Sequence, residues 1–310
     1  MTNKIEMKMR ESRSNYKIAY STKYGQMYCG KCEDVLSDWN ENERADLIIT
    51  SPPFPLNRAK KYGNMNGEEY INWIKELAVL FSSIMKENGS LVIEMGNAWE
   101  KGIPVHSTLP IEALLALKRS GEFYLCQEFI HYNPSALPSP IEWVNKKRCR
   151  VKDSFTRIWW LSKSPFPKAD NRKVLVQYSK QMDKLIKKRQ YNSGKRPSEY
   201  VIGKDSFYKD NGGAIPANVI IAANTISKDS YLKYCKNNSY EIHPARMSKE
   251  IPEFFIRYLS DKDDLIIDPF AGSNTTGAIA EQLGRRWISI EAENKYIEGS
   301  RGRFDIEQGK

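Results

Sequence analysis

Leu265-Ile266-Ile267-Asp268-Pro269-Phe270-Ala271-Gly272-Ser273-Asn274-Thr275-Thr276-Gly277 opens as a continuous apolar run and ends in a series of small residues. A run of this length with no polar alternation predicts a strand covered on both faces. The small residues predict a tight turn into a helix over 278–283, and Arg286-Trp287-Ile288-Ser289-Ile290 predicts a second strand that closes on Glu291. Glu291 follows Gly272 by 19 positions. In nucleotide-binding βαβ units about 20 residues separate a glycine turn from the acid that accepts from ribose hydroxyls. Small residues admit a ligand to the backbone, and the carboxylate at the next strand end receives its hydroxyls. These spacings together predict a nucleotide or nucleoside site.

The turn reads G-x-N-x-x-G, with Asn274 at the second glycine position of the dinucleotide pattern and no basic residue to pair with a pyrophosphate. A nucleoside cofactor without phosphates, such as S-adenosylmethionine, fits that composition better than NAD.

A second apolar run, Leu47-Ile48-Ile49, leads into Thr50-Ser51-Pro52-Pro53-Phe54. Consecutive prolines lock their own φ, remove two backbone donors and hold the preceding residue extended. The result is a strand end rich in acceptors, with a hydroxyl and an aromatic face, placed where open α/β sheets bind ligands. By itself it can equally be a proline-rich loop.

Around these two stretches the pattern alternates. Short strands are predicted at 26–28, 46–50, 90–95, 123–130 and 157–161; helical spacing runs from Glu69 to Met85, from Pro110 to Ser120 and from Ser248 to Leu259. Such alternation predicts parallel βαβ units and a doubly wound, mostly parallel α/β sheet. Residues 1 to about 20 read as a mobile or surface arm, and Asn57–Gly67 as a loop. From 163 to 235 prolines, glycines and charge break the periodicity. That segment is expected to be an irregular inserted module, leaving 1–162 and 236–310 for the α/β body.

The chain has 310 residues, 40% of them hydrophobic, and a formal charge of +10. No apolar run approaches the roughly 18 residues of a membrane span, and the first residues lack a signal-peptide core. A cytoplasmic location is expected, or a nuclear one in a eukaryote. Five scattered cysteines suit reduced thiols; Cys29-Gly30-Lys31-Cys32 has metal-ligand spacing, but with no second pair and three histidines no metal is expected. The charge is concentrated: residues 141–210 hold 19 Lys and Arg against 7 Asp and Glu. Interleaved aromatics such as Trp143, Trp159 and Tyr178 favour a nucleic-acid surface over a plain solvated face.

Taken together, TSPPF at 50–54, DPFAGSNTTG at 268–277 and HPARMSKEIPEFFIRYL at 243–259 resemble the motif set of DNA amino-methyltransferases, in the group whose catalytic motif precedes the cofactor motif. The resemblance covers roughly 24–162 and 241–299. It implies a Rossmann-like S-adenosylmethionine-dependent enzyme acting on double-stranded DNA, with 163–235 as target-recognition module and, in a restriction-modification system, a separate endonuclease. It implies Ser51, Pro52, Pro53 and Phe54 as catalytic residues. Thr50, Asp268, Phe270, Gly272, Ser273 and Thr275 become cofactor contacts, Glu291 the ribose acid, and His243, Pro244 and Ala245 the segment that closes over the methionine end. Serine ahead of Pro-Pro-aromatic resembles the enzymes that methylate cytosine N4; adenine N6 is the alternative, with an RNA or protein substrate or an inert binding module further off. Methylation at carbon 5 needs a Pro-Cys nucleophile, and no cysteine here follows a proline. The sequence departs from the family at Gly30-Lys31, where an acid often follows the glycine, so that Glu33 or Asp34 takes the acid's place or none does.

Overall fold

The computed structural model describes residues 15–40, 42–54, 67–188, 193–203, 209–223 and 229–304. The terminal arm up to residue 14 and most of the loop expected at 57–67 lie outside them. Two compact units are present, Asp170–Ala217 and the remainder of the chain.

The larger unit is built on one sheet of nine strands among the described residues. They are β1 (Lys17–Ser21), β2 (Gly25–Cys29), β3 (Ala45–Thr50), β4 (Met85–Met95), β5 (Tyr124–Tyr132), β6 (Phe155–Ser162), β9 (Val219–Ile221), β10 (Leu265–Asp268) and β11 (Arg286–Glu291). Their order is β1-β2-β11-β10-β3-β4-β6-β5-β9. β2, β11, β10, β3 and β4 run parallel, and β5 is parallel to β9, whereas β1 and β6 are antiparallel to their neighbours. All six residues of β3 and all four of β10 are buried. Successive side chains go to opposite faces: Ile48, Leu265 and Ile267 enter one core, Leu47, Ile49 and Ile266 the other. The strands therefore need apolar residues at every position, as the sequence runs show.

Helices cover both faces. α1 (Cys32–Ser37), α2 (Gly67–Ile84) and α3 (Leu109–Ser120) supply the first core; α6 (Glu250–Leu259), α7 (Thr275–Gln282) and α8 (Asn294–Ser300) supply the second. In α2 the buried stripe is Tyr70, Ile74, Leu77, Ala78, Phe81 and Ile84, the spacing of a one-sided helix. β3 crosses through α2 to β4 on one side, and β10 crosses through α7 to β11 on the other. The direction of winding reverses between β3 and β10, and a crevice opens there at their carboxyl ends.

Three elements differ from the expectation. Lys17–Ser21, expected in the polar arm, is an edge strand on β2; with Tyr20 as its buried anchor and backbone bonds doing the rest, it carries almost no apolar signal. β4 begins at Met85 rather than Ser90, because a register shift opposite Ala45 and Leu47 absorbs the Asn88-Gly89 break. The separate unit, Asp170–Ala217, is shorter at both ends than 163–235. β9 joins the main sheet, and α5 (Ser230–Asn237) packs by Tyr234 against Gly302 and by Cys235 against Gly299, contacts that a short polar segment does not announce. Within Asp170–Ala217, α4 (Lys180–Lys188) has no buried residue, β7 (Gly194–Lys195) pairs with β8 (Val201–Ile202), and Val176 bridges to Ala214. No helix among the described residues is long and apolar enough to cross a membrane.

Candidate active site

Asp268 ends β10 as a buried carboxylate. Its Oδ1 accepts from the Thr50 hydroxyl at 2.7 Å and from the Phe270 amide at 3.1 Å. Burial outweighs these bonds and pushes its pKa up to about 6. The contact ties the ends of β3 and β10 across 218 positions of sequence and gives Thr50 a supporting place behind the site.

The chain then turns through Gly272, whose φ of +51° is left-handed; a β-carbon there would stand 3.0 Å from the His243 ring. Gly272 N–H donates to Glu291 Oε2 at 2.9 Å, and Glu293 N–H to Oε1 at 2.8 Å. Each oxygen of Glu291 keeps a further lone pair, and burial raises the group's pKa despite the two amides. Asn274, also left-handed, caps α7: its Oδ1 accepts from Gly277 N–H and Ser289 Oγ, and its Nδ2 donates to Tyr20 OH at 3.0 Å. This buried network is why asparagine stands where the dinucleotide pattern has glycine: it tolerates the backbone, and its amide oxygen and nitrogen both find partners.

Both turns open on a cavity of about 720 Å³. Ser51, Pro52, Pro53, Phe54, His243, Pro244, Ala245, Asp268, Phe270, Gly272, Ser273, Thr275 and Glu291 line it; Thr50 does not. Phe54 lies against Gly96 after β4, where an added β-carbon would come within 3.3 Å of its ring. His243 is held by its amide on Tyr231 OH at 2.8 Å and by an edge-on contact with Tyr296.

Other lining residues were not marked by the motifs. Glu33 is at the wall and Asp34 is not; the Trp73 indole donates to Glu33 Oε1 at 2.6 Å. On another wall Glu94 Oε1 accepts from Thr156 Oγ1 at 2.7 Å and meets His131 Nδ1 at 3.0 Å, while His131 Nε2 faces the Ala222 carbonyl at 3.2 Å. Burial opposes protonation of His131, yet the carboxylate and the carbonyl prevail and raise its pKa. The one sequence signal was a glutamate set between Leu91-Val92-Ile93 and Met95; its partners stand 37 and 62 positions away.

Five carboxylates line the cavity (Glu33, Glu94, Asp268, Glu291, Glu293) against the cations Lys31 and Arg246, and Arg246 is paired with Asp229 at 3.3 Å. Such a balance favours a ligand of net positive charge and disfavours a pyrophosphate. Cys32 is buried in the core, and no group of His, Cys, Asp or Glu among the described residues is arranged to hold a metal.

Comparison with known proteins agrees with this geometry. The type II methyltransferase M.PvuII of Proteus hauseri is 44% identical over 93% of this chain and 86% of its own length. M.BglII of Bacillus subtilis is 24% identical over 88% and 66%. The solved PvuII DNA methyltransferase, described as cytosine-N4-specific, superposes with a TM-score of 0.75 at 38% identity, covering 94% of this chain and 91% of that one. A putative DNA modification methylase from Thermus thermophilus, solved with S-adenosyl-L-methionine, shares the fold at a TM-score of 0.52 and 18% identity, over 89% and 92%. Residues 45–301 match the DNA methylase family, and the chain belongs to it.

Proposed function

We propose that this chain transfers a methyl group from S-adenosylmethionine to the N4 amine of a cytosine flipped out of double-stranded DNA. The observation that carries the reading is the meeting, at one switch point, of the Ser-Pro-Pro-Phe turn with a carboxylate-rich nucleoside cavity. The residues present fit the cofactor. The left-handed Gly272 admits it to the backbone, Glu291 retains lone pairs for ribose hydroxyls, and the acid excess suits a cationic sulfonium. Glu33, on the cavity wall, would face the adenine end and His243 the methionine end. When bound, S-adenosylmethionine supplies an electrophilic methyl group.

The amine lone pair is delocalised into the base ring, so the protein's task is to localise and aim it. Ser51 Oγ and the Pro52 carbonyl accept the amine hydrogens and draw them out of the ring plane, while Phe54 stacks on the base. With S-adenosylmethionine bound, the methyl carbon would exchange its bond to sulfur for one to the amine nitrogen, and the displaced amine proton would pass by way of the Ser51 hydroxyl to water. Positioning and fixed dipoles supply the acceleration.

Serine at 51 and the likeness to a cytosine-N4-specific enzyme support cytosine over adenine. Asp170–Ala217, with 11 Lys and Arg against 5 Asp and Glu among 170–210, is the core of the target-recognition module. A separate restriction endonuclease is the partner suggested by the type II relatives. Nucleoside mass spectrometry of DNA from cells expressing the chain, or its Ser51→Ala form, tests the reading. N4-methylcytosine is expected with the intact protein alone; N6-methyladenine in its place establishes the alternative, and no modified base removes both.

A further inference from the structure

The positive surplus of residues 141–210 divides evenly between the two compact units. Residues 170–210 hold 11 Lys and Arg against 5 acids, and 141–169 hold 8 against 2, so each carries +6. The second share belongs to the catalytic unit, and five of its eight cations sit on one loop. We propose that residues 133–154, between β5 and β6, form a DNA-gripping element that holds phosphates beside the target base and inserts Leu137 into the gap the flipped base leaves. The proposal rests on the duplex-DNA reading above.

Position is the first reason. β5 and β6 pair up to Tyr132 and Phe155, and β6 pairs with β4 up to Met95, so the loop emerges at the same end of the sheet as the Ser51 turn. A chain of contacts joins the two. Phe54 packs on Gly96; the next residue, Asn97, donates to Asp153 Oδ1 at 2.7 Å, and the Trp99 indole donates to Asp153 Oδ2 at 3.1 Å. Thr156, just past the loop, lines the cavity.

Rigidity is the second. Asn133 N–H donates to Ser154 O at 2.8 Å, Asp153 N–H to Ser139 O at 3.0 Å, Ala136 N–H to Asn133 O at 3.1 Å, and Lys152 Nζ to Ala136 O at 3.1 Å. The loop is closed on itself at its base and has little freedom left to lose on binding. Arg148 is kept left-handed at φ 52°, followed by two amides, of Cys149 and Arg150, that both reach back to Trp143 O. Such a conformation is strained for a non-glycine residue and tends to mark functional positions.

What this frame presents outward is the third. Lys146, Lys147, Arg148, Arg150 and Lys152 are exposed. Glu142 pairs with Lys146 at 3.1 Å and Lys147 at 4.0 Å, but exposed pairs of this kind bind weakly and yield to phosphate. Leu137 is 81% exposed and Val151 86%. A single exposed apolar side chain is ordinary; one held on a stiff, proline-flanked turn in the same loop as a cation cluster, at the end of the sheet where the cavity opens, matches the apolar wedges by which proteins unstack bases.

Two variants separate the roles, with sheared genomic DNA from a methylation-deficient strain as substrate, native or heat-denatured. Lys146→Gln/Lys147→Gln/Arg148→Gln is expected to bind native DNA more weakly, with a salt slope reduced by about 2 to 3, near 0.9 per lost phosphate contact. Leu137→Ala is expected to keep the salt slope while methyl transfer into native DNA falls about tenfold, part of the unstacking cost the wedge offsets. Transfer into denatured DNA should stay at the wild-type rate, and S-adenosylmethionine affinity by calorimetry should be unchanged in both variants. An unchanged slope in the triple variant, equal loss on native and denatured DNA in Leu137→Ala, or a loss of cofactor affinity overturns the proposal. Binding is read without methyl transfer: a wild type that grips duplex DNA through the loop yet methylates nothing counts against the cytosine reading and leaves the loop standing.

Discussion

The turn after β10 and the turn after β3 leave adjacent parallel strands at the same end of the sheet, yet one is made of glycine and small polar residues and the other of proline. Both are rigid, for opposite reasons. The 268–277 turn is held by hydrogen bonds from elsewhere: Glu291 on the Gly272 amide, Ser289 and Tyr20 on Asn274, and Arg303 on the Ser273 carbonyl. The 51–54 turn is held by its own covalent rings, and two of its residues have no amide to donate. A site that must receive ribose hydroxyls and also withdraw hydrogens from an amine needs acceptors on both sides: a carboxylate braced by the glycine turn, and a hydroxyl and carbonyl at the proline turn. Neighbouring strands deliver the two kinds of backbone to one cavity.

If that contrast is right, damage to the two turns separates. The largest effect is expected for Ser51→Ala: kcat falls by roughly 10²–10³-fold, as for loss of one preorganised polar contact at a reacting centre. S-adenosylmethionine affinity and thermal midpoint stay near wild type. A parallel loss of cofactor affinity by calorimetry would show that the proline turn also shapes the cofactor pocket.

Asp268→Asn is next, and its effect depends on pH. The unfolded carboxyl titrates near 3.9, the folded one near 6. The folded state therefore binds the proton more tightly, and its advantage is full below about pH 4 and is lost as pH rises through 6. Above that the ionised, buried group costs about 3 kcal/mol, two pKa units converted. The asparagine form should raise the thermal midpoint of the cofactor-free protein at pH 8 and leave it nearly unchanged at pH 4. A gain that does not vary with pH would mean that Thr50 and the Phe270 amide already keep the carboxylate ionised in the acid range. In the wild type, binding of the cationic cofactor should tighten across the same interval.

Gly272→Ala should give the smallest of the three changes. A left-handed alanine facing His243 costs about 1–2 kcal/mol. The denaturant midpoint is expected to fall, and cofactor affinity to fall with it. Loss of activity with both intact would erase the distinction between the turns.

What could be read along the chain was whatever depends on neighbours in sequence. The runs at 47–49 and 265–267 have to be doubly covered strands because every position is apolar, and the α2 stripe shows itself by its period. The glycine turn and Glu291 lie within one βαβ unit, so their spacing betrays them. β1, β9 and α5 escaped because each rests on one or two buried side chains, the strands otherwise on backbone bonds to distant strands and the helix on packing against the chain's last described turns. Glu94, Thr156 and His131 escaped for the same reason: nothing near Glu94 in sequence says that a histidine will meet it.

By itself the sequence determined the fold class, the two turns and the chemistry their residue types permit, since these follow from apolar period, proline geometry and small-residue spacing. Tertiary structure alone decided that the turns share a cavity, that Thr50 stands behind Asp268 rather than in the cavity, and that Glu33 rather than Asp34 reaches the wall. It also decided that half of the central positive charge belongs to the catalytic unit, five of its eight cations on one rigid loop. Each of these depends on which strand lies beside which, and strand order is set by the packing of both faces of the sheet at once, not by any local segment.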